Sequence, residues 1–86
     1  MRFRVSGRVQ GVGFRAHTRT VARAHHLSGG ATNCSDDSVD ILLFGRAESI
    51  DAAKPDIIAG PVHARVERVE SLDPPVQPPV TGFVIR

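Results

Sequence analysis

The chain has one cysteine, no tryptophan, no tyrosine and only four phenylalanines in 86 residues. A lone Cys34 excludes an intramolecular disulfide and any zinc site built from several thiolates. Aromatics make up 5% of the chain against 41% hydrophobic residues overall, so aliphatic side chains have to fill the core. No apolar run approaches a membrane span, and the start "MRFRVSGRV" lacks the apolar stretch of a signal peptide. These absences lead to the expectation of a cytoplasmic protein with no membrane partner. Acidic residues are also missing from one place. Residues 1–35 hold six arginines and no Asp or Glu, whereas residues 36–86 hold five basic and nine acidic residues. The net charge of +2 therefore hides +6 in the first part and −4 in the second. Such a split suggests an anionic partner for the first part. A chain of this size fits one domain, residues 1–86.

What is present reads as alternating short elements. "RFRVS" alternates with Phe3 and Val5 on one face, which predicts a strand. From Phe14 to about Leu27 there is no Gly or Pro, and Ala and Arg abound, which predicts a helix. Its apolar stripe of Phe14, Val21 and Ala22, with Thr18 and His25 at compatible spacing, is thin. "GGATNCS" predicts a second strand, "DDS" a turn, and the nearly continuous apolar run "VDILLF" a central strand. "RAESIDAAKPDIIAG" predicts a second helix with Ile50, Ala53 and Ile57 on one face, kinked or interrupted at Pro55. "VHARVERVESL" predicts a fourth strand whose apolar phase shifts between Val66 and Val69, the sign of a bulge. "DPPVQPP" is an extended connector, and "GFVIR" a short last strand with Phe83 and Ile85 facing one way. The order β-α-β-β-α-β plus a terminal strand is the α+β, ferredoxin-like split βαβ pattern, with two helices on one face of an antiparallel sheet.

Between the first strand and the first helix stands "GRVQGVGFR", residues 7–15. A helix start leaves several backbone N–H groups without intrahelical partners, and Ser, Thr, Asp or Asn usually caps them. "VQGVGF" offers none of these, and the predicted helix carries no acid. Open donors, the helix dipole and glycines that admit close approach together make an anion site. Arg15 adds a planar, charged fork matched to two phosphate oxygens. On spacing alone this reading stands level with a plain strand-to-helix turn whose Arg15 faces solvent. The Walker phosphate loop is excluded, because no Gly-Lys-Ser/Thr follows.

The same stretch resembles the acylphosphatase signature, Gly-x-Val-Gln-Gly-Val-x-Phe/Tyr-Arg, at every fixed position: Gly7, Val9, Gln10, Gly11, Val12, Phe14 and Arg15. In "GGATNCSDDSVDILLFG", Gly29, Asn33, Val39 and Gly45 match that family's second motif, and "GFVIR" resembles its last strand. The resemblance spans the chain. It implies the ferredoxin-like fold and hydrolysis of the carboxyl-phosphate bond of acyl phosphates, without metal or cofactor. By the same resemblance, residues Gln10, Gly11, Val12, Gly13, Phe14 and Arg15 form the phosphate-binding loop. Arg15 would hold the phosphate and Asn33 would position the attacking water. Without the resemblance, Asn33 reads as a polar strand-end residue bonding the turn that follows. Four positions depart from the family pattern and bear on stability and loop rigidity. Gly30 stands for an aromatic, Asp37 for a turn glycine and His26 for a glycine, and Pro55 interrupts the second helix.

The chemistry agrees with so spare a site. Phosphoryl transfer asks for positioning and charge neutralisation. The leaving carboxylate has a conjugate acid of pKa about 4, so no general acid is needed. A neutral amide orients water without repelling the phosphate. Arg19 and Arg23 continue Arg15 along one helix face and read as a solvated face, the alternative being a raised local potential that speeds anion arrival. His17, His25 and His26 show no metal-ligand spacing, and Cys34 reads as inert. The expected partners are a small-molecule acyl phosphate and inorganic phosphate, as product or inhibitor, with the protein a monomer. The alternative is a non-catalytic domain binding phosphate or carbamoyl phosphate, as at the N-terminus of hydrogenase-maturation carbamoyltransferases. The absence of Cys-rich zinc segments weighs against that larger protein. RNA binding, which shares this topology, needs stacking aromatics on the sheet. "VDILLF" without Tyr or Trp lacks them, so no nucleic-acid partner is expected.

Overall fold

A computed structural model describes all 86 residues. The elements follow in the order β1 (Arg2–Arg8), α1 (Phe14–Ala24), β2 (Ser28–Asn33), β3 (Val39–Phe44), α2 (Ala47–Ala59), β4 (Arg65–Leu72) and β5 (Phe83–Ile85). Alternation along β1 and β3 sends Phe3, Val5, Val39, Ile41 and Leu43 to one face of the sheet, all fully buried. They join Phe14 and Ala22 of α1 and Ile50, Ala53 and Ile57 of α2 in one core of 14 residues. Both helices therefore cover the same face. No helix is long and apolar enough to cross a membrane.

The strand order is β4-β1-β3-β2-β5, with the apolar "VDILLF" strand β3 at the centre as its composition predicts. Four strands pair antiparallel, but β5 pairs parallel to β2, so the sheet is mixed rather than wholly antiparallel. The connector between β4 and β5 is the reason. It carries the chain from one edge of the sheet to the other, and β5 then re-enters beside β2. The expected bulge is present: Ser6 pairs with Arg68 and Gly7 with Val66, so Glu67 is the extra residue. It restores the phase that lets both Val66 and Val69 lie on the helix side.

Two helical expectations are corrected. The first helix stops at Ala24 rather than near Leu27. His26 takes a left-handed conformation, φ 57°, and the chain reverses so that the Leu27 N–H donates to the Ala22 carbonyl at 2.8 Å. The second helix runs unbroken through Pro55. Proline removes the bond to the carbonyl of Asp51, but both residues lie on the exposed side. Water can satisfy the freed carbonyl there.

His26 and Asp37 are the two non-glycine residues with positive φ, at 57° and 70°. Left-handed backbone costs an L-residue roughly 1–2 kcal/mol, and less for Asp. We expect His26→Gly to stabilise the fold by ~0.5–1 kcal/mol after glycine's extra chain entropy, and Asp37→Gly by less. In thermal denaturation the gain for His26→Gly is a rise of roughly 2–8 °C in Tm. A lowered Tm for His26→Gly would contradict a strained helix end.

Candidate active site

β1, β2 and β5 run in the same direction, so their C-terminal ends meet at one end of the sheet. The β1–α1 loop, Asn33 and the residues after Phe83 are gathered there. Val9, 1% exposed, pins the loop into the core on one side, and Phe14, also 1% exposed, pins it on the other. Between them Gly11 and Gly13 adopt φ of 73° and 82°, where a side chain would be strained. No atom lies within 4 Å of where a Cβ would stand on either glycine, so their outer side is open.

Gly13 occupies the N-cap of α1 and supplies no side-chain cap, and the first turn holds no acid. The first bond closing the helix is from the His17 N–H to the Gly13 carbonyl, 3.0 Å. None of the N–H groups from Gly11 to Ala16 donates to a protein atom. These donors border a cavity of about 150 Å³ lined by Val9, Gly11, Gly13, Phe14, Arg15, Ala16 and Ile85. Of the residues expected to form the loop, Gly11, Gly13, Phe14 and Arg15 line it. Val12 instead packs on the core. Gln10 is turned elsewhere, its Nε2 donating to the carbonyls of Cys34 and Ser38, 2.9 Å each.

Arg15 is half-buried. Its Nη1 donates to the main-chain oxygen of Arg86 at 2.6 Å. The same oxygen accepts the Asn33 N–H at 3.1 Å, while the Arg86 N–H donates to the Ala31 carbonyl at 2.9 Å. One backbone oxygen thus links the two residues singled out from the sequence. The Asn33 side chain ends in an Oδ1 that is buried and has no hydrogen-bond partner. Such an orphaned acceptor costs about 1–3 kcal/mol.

The turn beyond Asn33 is closed by Cys34 N–H to Ser38 O, 2.9 Å, and Asp37 N–H to Cys34 O, 3.2 Å. Asp36 accepts from the Ser38 hydroxyl and N–H, and these bonds hold its carboxyl below the usual carboxylate value.

The remaining candidates have local duties. His17 meets the Asp56 main-chain oxygen at 2.9 Å, and His25 lies 3.8 Å from the Asp56 carboxylate, so both tie α1 to α2. Cys34 is a half-buried free thiol. Arg2 and Arg4 share Asp40, whereas Arg8, Arg15, Arg19 and Arg23 have no Asp or Glu carboxylate within 4 Å. The unpaired positive charge of the first part is therefore concentrated around the loop and α1. Ile85 and the Arg86 oxygen were not singled out from the sequence. Ile85 reads there as an ordinary strand residue, and a main-chain oxygen leaves no mark in residue identity.

The acylphosphatase family profile matches residues 1–85. An acylphosphatase of Pseudomonas paraeruginosa is 42% identical over 82 residues, 95% of this chain and 89% of that protein. The structure of an acylphosphatase from Coxiella burnetii superimposes with a TM-score of 0.87 at 32% identity, covering 99% of this chain and 88% of the other. T. kodakarensis HypF also superimposes, with a TM-score of 0.85 at 33% identity, over 100% of this chain and 12% of its own. With the signature loop, the topology and these relatives in agreement, the chain belongs to the acylphosphatase family, whose enzymes hydrolyse acyl phosphates.

Proposed function

We propose that acyl phosphate hydrolysis takes place here at the β1–α1 junction, with the phosphoryl group held by the N–H groups of residues 11–15 and by Arg15. The observation that carries this reading is the row of unpaired donors from Gly11 to Ala16 beside an open cavity. An anion at such a helix start gains from the aligned dipole and from several N–H groups at once. The Arg15 guanidinium, held at one nitrogen by Arg86, keeps further donors for phosphate oxygens.

Asn33 positions the water. Its unpaired Oδ1 is the acceptor a water molecule would satisfy on entering with substrate. The water oxygen forms a bond to phosphorus, and the bond from phosphorus to the acyl oxygen breaks. The bonding electrons leave with the carboxylate, and both water protons end on the released phosphate. The site supplies charge neutralisation and alignment, the two things this chemistry needs. The compartment and assembly state belong to the same reading: a monomer in the cytoplasm.

Inorganic phosphate is expected to inhibit competitively, with Arg15→Lys losing about 10²-fold in kcat/KM. Lysine keeps the charge but loses the two-pronged contact, and small misplacements carry that magnitude. Arg15→Ala should lose phosphate inhibition as well. Steady-state hydrolysis of benzoyl phosphate with circular dichroism as the folding control measures both. Near-native kcat/KM in Arg15→Lys would show that charge alone suffices, and an active Arg15→Ala would remove Arg15 from the mechanism.

Asn33→Ala separates the water from the anion. It should lower kcat by roughly 10²–10³, the loss usual for one preorganised group, with the phosphate inhibition constant nearly unchanged. Equal losses in both would mean that Asn33 holds the anion.

A further inference from the structure

Gln10 belongs to the loop by sequence, yet it does not line the cavity, and both N–H groups of its side-chain amide are used elsewhere. Two carbonyl acceptors at 2.9 Å fix which end of the amide faces them, because only the nitrogen donates. The carbonyls belong to Cys34 and Ser38, the first residues beyond the last β2–β3 pair, Asn33 with Val39. Each already accepts one backbone bond, Cys34 from Asp37 and Ser38 from Cys34. Gln10 takes the remaining lone pair of each and bridges the two sides of the turn.

We infer that Gln10 is a positioning residue that locks the turn after Asn33 to the phosphate loop, and so fixes the water-orienting amide relative to the bound phosphoryl group. This inference rests on the role proposed for Asn33. Geometry supports it from both sides. Val9, adjacent to Gln10, is buried in the core and lines the cavity. Cys34 is adjacent to Asn33, whose own N–H is held by Arg86. The amide of Asn33 is therefore framed by the Arg86 oxygen on the β5 side and by Gln10 on the turn side. The turn needs the restraint, because Asp37 occupies a left-handed position there with φ 70°. Gln10 touches neither water nor phosphate in this arrangement. It acts on the rate through Asn33.

The test is a double-mutant cycle on benzoyl phosphate hydrolysis, with inorganic phosphate as the competitive probe. Gln10→Met keeps the length of the side chain and removes both donors. It should lower kcat by about 10- to 100-fold, the range for a small misplacement of a reacting group. Its phosphate inhibition constant should stay within about twofold. In the Asn33→Ala background the same substitution should add no further loss, since residues acting as a unit are non-additive. If Gln10→Met does not fold by circular dichroism, Gln10→Asn, too short to reach both carbonyls, is read by the same criteria. A weakened phosphate constant would make Gln10 an anion ligand and overturn the inference. So would losses that multiply with Asn33→Ala, or a native kcat accompanied only by a lower Tm. If Asn33→Ala itself keeps native kcat, the water role fails and the inference fails with it. A slow Asn33→Ala with a multiplying Gln10→Met overturns the inference alone.

Discussion

The main-chain oxygen of Arg86 accepts from the Arg15 guanidinium and from the Asn33 N–H. Arg15 stands in the first turn of α1 and Asn33 at the end of β2, with no covalent proximity between them. What joins them is β5, laid parallel to β2 so that its last residues pass between the helix start and the strand end. The short strand is marginal by its own length, with three residues and a single pairing partner. Its hold comes from Phe83, 7% exposed in the core, and from backbone bonds at each end: Gly29 N–H to Gly82 O and Arg86 N–H to Ala31 O. The geometry of the site depends on that docking.

The loop itself is stabilised in the opposite manner. A helix start is normally closed by a cap, and here it is left open between two buried anchors, Val9 and Phe14. Fixing both flanks in the core holds the donors in place without spending them on the protein. Water meets the cost of leaving them unpaired in the free protein, and in the function proposed a bound anion takes its place. Local fold economy is set aside where binding needs it, a pattern expected of functional sites.

Two of the four departures from the family pattern fall outside this arrangement. His26 ends α1 at the opposite end of the helix from the loop, and Pro55 lies on the exposed side of α2. Gly30 lies on β2 beside Val84, where an added Cβ would come 3.0 Å from the Val84 carbonyl. The small residue at 30 matches the close approach of β5. Asp37 is the departure nearest the chemistry, in the turn that Gln10 bridges.

Periodicity and local chemistry were enough to read β1, β3 and both helices from the sequence, together with a bulge between Val66 and Val69 and the lack of a capping residue within residues 9–14. Each depends on neighbours a few residues apart: alternation in a strand, spacing in a helix, the absence of a capping side chain. Arg15 and Asn33 are singled out through motif resemblance, since spacing alone leaves each with a local alternative. The end of α1 was misread because a histidine in a left-handed position carries no glycine to announce it. Pro55 misled because its cost depends on which side of the helix it occupies. The pairing of β5 with β2, the oxygen shared by Arg15 and Asn33, and the two carbonyls claimed by Gln10 were decided by the tertiary structure alone. They join main-chain atoms far apart in the chain, and every residue has the same main-chain oxygen. Residue identity determined that the loop leaves its helix start uncapped, and only the meeting of three strand ends determined what stands beside it.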